Sequence, residues 1–159
     1  MIATRDALQV VLVSPEIHGN TGNAGRTCLA IGAQLHLVEP LGFSLDDAHV
    51  RRAGLDYWQR VAPRVWPDWE AFETALPGLG DPFVFTAEAE RDYWDVEYGP
   101  KPVLIFGRES AGLSRSVRER YADRLVRFPI CDDGVRSLNL ANCVALACYE
   151  VLRQRRTDV

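Results

Sequence analysis

Apolar residues in this chain fall in short runs separated by glycine, proline and charged residues, a spacing that predicts strands alternating with helices. Leu8 to Ser14, Gln34 to Val38, Val61 to Trp66, Phe83 to Thr86, Val103 to Phe106 and Leu125 to Phe128 read as strands. The unbroken runs, such as Leu8 to Ser14, are those expected of strands covered on both faces. Thr21 or Asn23 can cap a helix running to about Ile31, with Gly32 as its stop. Further helices are expected from Asp46-Asp47 through Arg52, from Asp68 to Leu76 with Pro77-Gly78 ending it, and from Ser114 to about Tyr121. Residues 129–136 read as loop, with Asp132-Asp133-Gly134 a turn signal. A final helix runs from about Leu140 to Gln154. The alternation predicts an α/β domain over residues 1–159 with a mainly parallel sheet flanked by helices.

The final helix is apolar around most of its circumference; between Leu140 and Leu152 only Asn142, Tyr149 and Glu150 interrupt. Such a helix must be covered on more than one side. In a small domain the sheet covers one face, and a second subunit is the expected cover for the other. A homodimer through this helix is therefore predicted.

At 159 residues the chain is long enough for a real hydrophobic core without disulfides or metals. With 47% apolar and 25% charged residues the composition is that of an ordinary soluble protein. The apolar run after Arg5 and Asp6 is too short for a signal peptide or membrane span, so a cytoplasmic protein with no membrane association is expected. Its cysteines, Cys28, Cys131, Cys143 and Cys148, show no Cys-x-x-Cys spacing, and no metal site is expected. The net charge of −4 argues against a sequence-independent nucleic-acid binder, yet all the cationic residues except Lys101 are arginines, whose planar fork suits phosphate.

Three polar clusters end apolar runs: Asn20-Thr21-Gly22-Asn23 with Arg26, Gly107-Arg108-Glu109-Ser110 with Gly112-Leu113, and Ser137-Leu138-Asn139-Leu140. Small polar residues at strand ends are where α/β domains hold ligands, so the three imply one composite site. Gly19 to Thr27 is not a P-loop, because Asn20 stands where the first glycine belongs and Arg26 replaces lysine. No Gly-x-Gly-x-x-Gly is present, which argues against a dinucleotide fold. What remains is a polar loop entering a helix start, with Arg26 ready for an anion. His18 has no partner in sequence and reads as a surface residue.

Together the clusters resemble the SPOUT superfamily of RNA methyltransferases. More narrowly, they resemble the small tRNA (cytidine/uridine-2'-O-)-methyltransferases of the TrmL type, which act on the wobble nucleotide. The likeness rests on Pro15-Glu16-Ile17 leading to Asn20-Thr21-Gly22-Asn23-x-x-Arg26, Glu39-Pro40-Leu41-Gly42-Phe43, Arg51-Arg52-Ala53-Gly54-Leu55-Asp56-Tyr57, Phe106-Gly107-x-Glu109-x-x-Gly112-Leu113, and Arg136-Ser137-Leu138-Asn139-Leu140-Ala141-Asn142 with Tyr149-Glu150. The resemblance implies a deep C-terminal trefoil knot, with the knot and cofactor loops in about 83–154. It also implies S-adenosyl-L-methionine held by those loops, a tRNA substrate, and a dimer that shares its active sites.

The cofactor residues implied are Phe85, Thr86, Gly107, Gly112, Phe128, Ile130, Ser137 and Asn139, with the two glycines leaving room for backbone to approach the adenosine. Arg26, Glu109 and Asn139 are the implied catalytic residues. A guanidinium does not normally deprotonate in proteins, so Arg26 is read as a cation that stabilises the developing alkoxide and grips phosphate. Glu109 reads either as a group orienting Arg26 or RNA, or as a helix-capping carboxylate. RNA contacts are expected from Asn20, Asn23, Arg26, Arg51, Arg52, Arg108, Arg115, Arg118 and Tyr149. With no separate RNA-binding domain expected, the dimer surface must recognise the substrate. Rival readings are the same chemistry on another tRNA position or a ribosomal RNA, a non-catalytic RNA-binding module on the same fold, and, more distantly, a flavodoxin-like flavin protein. The chain departs from relatives that carry Pro-Pro where His18-Gly19 stands, and its Asp132-Asp133-Gly134 loop is one residue longer.

Overall fold

The computed structural model describes residues 7–46 and 57–156. The helix expected from Asp46-Asp47 to Arg52, and with it Arg51 and Arg52, lies outside the described residues. In chain order the elements are β1 (Gln9–Val13), α1 (His18–Ile31), β2 (Gln34–Val38), α2 (Trp58–Val61), β3 (Arg64–Trp66) and α3 (Trp69–Leu79), followed by β4 (Asp81–Phe85), β5 (Pro102–Phe106), α4 (Arg115–Arg120), β6 (Leu125–Val126) and α5 (Leu140–Arg155). The strands form one six-stranded sheet in the order β3-β2-β1-β5-β4-β6. Every pairing is parallel, as the runs of buried apolar residues require.

Successive strand residues point to opposite faces, and each face has its own core. Val10, Leu12, Leu35, Leu37, Leu104 and Phe106 pack against α1, α2 and α5. Val11, Val38, Val84, Val103 and Ile105 pack against α3 and α4 through Phe72, Leu76 and Val117. Cys28 and Cys148 are buried in the first of these layers. Burial pushes the thiol of half-buried Cys143 up to about 11, which removes it as a nucleophile at neutral pH.

Local signals placed most element centres and misjudged several ends. Asp68 caps α3 by accepting from the Ala71 N–H at 2.8 Å, yet the helix runs on through Pro77 to Leu79. A proline this close to a helix end forfeits little of the ladder. The stop is Gly80, at φ 147°, where a Cβ would lie 2.0 Å from the Lys101 carbonyl oxygen. Val61 belongs to the short helix α2, so β3 begins only at Arg64. The last strand is only Leu125–Val126, and Ser114 caps α4 as expected. Among the described residues no helix is long and apolar enough to cross a membrane.

His36 is fully buried in β2, and its two ring nitrogens are both used. Nδ1 accepts from the Trp66 indole N–H at 3.0 Å, which leaves Nε2–H to donate to Gln9 Oε1 at 2.6 Å. Burial first, and the charge of Arg64 second, push its pKa down to about 4. The unfolded chain therefore binds a proton that the folded chain refuses. Stability is full above the ordinary histidine value and is lost as pH falls toward about 4, by on the order of 2–3 kcal/mol. Melting temperature recorded from about pH 7.5 to about pH 4.5 should show this loss, and a His36→Gln variant should lack most of it.

Candidate active site

In an open parallel sheet, ligands bind outside the carboxyl ends of the strands where the strand order reverses. Here that point lies between β1 and β5, because β2 follows β1 on one side while β4 and β6 lie on the other. The loops leaving β1 and β5 are joined across it by a reciprocal set of hydrogen bonds. The Glu16 N–H donates to Glu109 Oε2 at 2.7 Å, and the Ile17 N–H donates to the same oxygen at 3.1 Å. In return Glu16 Oε1 accepts from the Ser110 N–H at 3.0 Å and the Ser110 hydroxyl at 2.6 Å. These two bonds from Ser110, aided by the charge of Arg108, hold the Glu16 carboxyl below its ordinary pKa.

This clamp explains where α1 begins. Neither Thr21 nor Asn23 caps it; the helix starts at His18, and its N-cap residue, Ile17, has no side chain for the purpose. The Glu109 carboxylate instead accepts from the Glu16 and Ile17 N–H groups just ahead of the helix, fixing the chain's approach to it from 92 residues away. Glu109 is thus spent on the backbone of the first loop. It positions that loop and does not reach Arg26.

Gly42 and Gly107 make the close approaches possible. The Gly42 N–H donates to the Pro15 carbonyl at 2.9 Å, and a Cβ on Gly42 would sit 2.6 Å from the Glu16 carbonyl oxygen. A Cβ on Gly107 would lie 2.3 Å from both the Gly112 carbonyl carbon and the Leu113 nitrogen. The room at Gly107 is therefore filled by the protein's own loop, closed by the Gly112 N–H donating to the Arg108 carbonyl at 2.9 Å. Gly112 is different: it adopts φ 67°, and the side where a Cβ would point is open. Ser14, at the end of β1, also holds a left-handed φ of 50°, a small strain stored where the site is built.

The third loop meets this region from the other side. The Thr86 N–H donates to the Val126 carbonyl at 3.0 Å, tying the ends of β4 and β6. Phe85 stacks on Phe106 at 4.5 Å between centroids and on Phe128 at 5.2 Å. Phe85 is buried, while Phe128 and Ile130 are half-buried. Residues 131–139, including Ser137, are exposed. The loop's internal turn forms as expected, with the Gly134 N–H donating to Asp132 Oδ1 at 2.7 Å. Asn139 ends it: Oδ1 accepts from the Ala141 and Asn142 N–H groups at 2.9 and 3.3 Å, capping α5. Its Nδ2–H donates to Asn20 Oδ1 at 3.0 Å, so all three sequence clusters are stitched together.

Arg26 is held apart from that knot of contacts. Asn20 is buried and Arg26 exposed, about 9 Å further along α1. The guanidinium lies over the Tyr57 ring, 5.7 Å from its centroid, and among the described residues no carboxylate pairs with it. Asn23 and Arg108 are exposed, and Arg115 pairs only with exposed Glu119 at 2.8 Å. Arg118 pairs with Glu88. Tyr149 is 57% exposed and, with Leu146 at 41%, lines the open face of α5. Sequence reasoning did not single out Glu16, although its place in the first motif was visible. It also took Tyr57 only as part of a motif.

A doubly wound parallel sheet whose polar loops converge at its topological switch point, with no phosphate loop, defines a small-ligand-binding α/β domain of the transferase kind. The chain belongs to the SpoU rRNA Methylase family, whose model matches residues 7–149. It is 47% identical over 147 residues to a tRNA (cytidine(34)-2'-O)-methyltransferase of Burkholderia pseudomallei, covering 91% of this chain and 94% of that protein. A structure described as giving insights into 2-OH methylation of C/U34 on tRNA superposes with a TM-score of 0.88 at 40% identity, covering 96% of this chain and 99% of that one. The SpoU methyltransferase AviRb of Streptomyces viridochromogenes, solved with AdoMet, superposes at 0.76 with 28% identity, covering 98% of this chain and 60% of that one.

Proposed function

We propose that this protein transfers a methyl group from S-adenosylmethionine to the ribose 2'-hydroxyl of the wobble pyrimidine nucleotide of tRNA. The observation that carries the reading is the joining of three loops, through Glu16–Glu109–Ser110 and Asn20–Asn139, with an exposed arginine further along α1 that pairs with no carboxylate among the described residues. The near full-length likeness to relatives named for that reaction supplies the substrate.

The residues present fit the cofactor. Half-buried Phe128 and Ile130 offer an apolar wall for an adenine, and the open side of left-handed Gly112 lets a ligand approach the backbone. Thr86 at the end of β4 and exposed Ser137 in the third loop supply hydrogen-bonding groups for it. The bound cofactor supplies a methyl already activated by its sulfonium, so alignment is the protein's main task. Asn139 caps α5 and fixes the third loop against α1; Glu109 fixes the first loop against the second. Arg26 stabilises negative charge on the ribose oxygen as its proton leaves, and holds the neighbouring phosphate. Arg51, Arg52, Arg108 and Arg115 add phosphate contacts, together with Asn23; the exposed pair of Arg115 with Glu119 is weak enough to be exchanged for one.

The site is shared between two copies of the chain. Asn142, Leu146, Tyr149 and Arg153 form an exposed stripe along α5, two of them large and apolar or aromatic, which a second α5 would cover. In such a pair, the arginine of one copy serves the cofactor loops of the other. The segment after β5 closes as a trefoil knot, a reading supported by β6 lying beyond β4 from β5. Leu146→Glu should convert a dimer to a monomer in sedimentation and abolish activity while leaving the melting of the monomer near normal. The reaction itself is tested with methyl-labelled S-adenosylmethionine and bulk tRNA. Label at ribose 34 supports the assignment, and label on a base or at another position refutes it.

A further inference from the structure

Tyr57 stands out because its two halves have different fates in the free protein. Its ring lies under the Arg26 guanidinium at 5.7 Å and packs against the main core, beside the α1–α2 contact where Trp58 reaches to within 2.9 Å of a Cβ built on Gly25. Its hydroxyl is buried and has no hydrogen-bond partner among the described residues. A buried hydroxyl left without a partner is costly, and a phenylalanine would avoid that cost while presenting the same ring face. Burial raises the hydroxyl's pKa, so it stays a donor at working pH.

Resting on the function proposed above, we propose that Tyr57 is a positioning residue for methyl transfer: its ring restrains the Arg26 guanidinium that lies over it. A guanidinium over an aromatic face loses much of its freedom before substrate arrives, so less is lost when it engages the reacting oxygen.

The test compares wild type, Tyr57→Phe and Tyr57→Leu, each also in an Arg26→Ala background, by steady-state kinetics on the RNA the wild type methylates. Tyr57→Phe keeps the ring face and should leave kcat and the KM for RNA within about twofold of wild type, with no loss of melting temperature. Tyr57→Leu should lower kcat about tenfold, and that loss should largely vanish when Arg26 is already alanine. A kcat in Tyr57→Leu equal to that of wild type, or a loss as large in Tyr57→Phe, overturns the role of the ring, and a kcat loss in Tyr57→Leu that adds fully to that of Arg26→Ala overturns action through the arginine. Should the wild type methylate a different nucleotide, only the substrate assignment falls, because these ratios are read on whatever RNA it uses.

Discussion

Arg26→Ala is expected to slow methyl transfer by about a hundredfold or more while binding S-adenosylmethionine about as well as wild type. The split follows from geometry. Arg26 is exposed on α1 and its contact is with the Tyr57 ring, not with Phe128, Gly112 or Ser137. Its loss removes a cation that meets charge developing only as the ribose oxygen attacks, and interactions made only then affect turnover most. Arg26→Lys should recover part of the loss, since it restores the charge but not the planar fork that lies on Tyr57. Single-turnover rates with saturating cofactor, beside calorimetric cofactor titration, separate the two effects. A variant with normal turnover would remove Arg26 from the mechanism.

Gly107→Ala should be the more destructive change for the cofactor. The added Cβ would stand 2.3 Å from main-chain atoms of Gly112 and Leu113, and neither belongs to a flexible side chain that can give way. The loop must open, breaking the turn between Arg108 and Gly112 and moving Glu109 and Ser110 off the first loop. Cofactor affinity should fall at least about tenfold, and the melting temperature should drop with it. Gly112→Ala is the informative contrast for stability: in the free protein it meets open space and carries only the strain of a left-handed alanine, about 1 kcal/mol. An equal drop in melting temperature for both substitutions would mean that packing of this loop does not hold the site together.

Much of the architecture was legible in the chain because its causes are local. Gln34 to Val38 is a strand with the expected ends, Ser114 and Asp68 cap the helices they were expected to cap, and Asp132 forms its turn with Gly134. The errors share one origin. The start of α1 was misplaced because the carboxylate that fixes the chain just ahead of it, through the Glu16 and Ile17 N–H groups, is Glu109, far along the chain. The crowding at Gly107 was not legible because the atoms that exclude a side chain there belong to a loop that folds back on itself. His36 gave no sign in sequence of the Trp66 and Gln9 partners that keep it neutral.

By itself, then, the order of residues settled what depends on neighbours along the chain: strand and helix periods, caps, turns, and which polar clusters end which apolar runs. Tertiary structure alone decided which cluster touches which, that Glu109 holds a loop instead of facing Arg26, and that Tyr57 lies under that arginine. The physical reason is that hydrogen bonds and ring contacts depend on separations of a few ångströms, and residues about ninety positions apart acquire such separations only when the sheet brings their strand ends together.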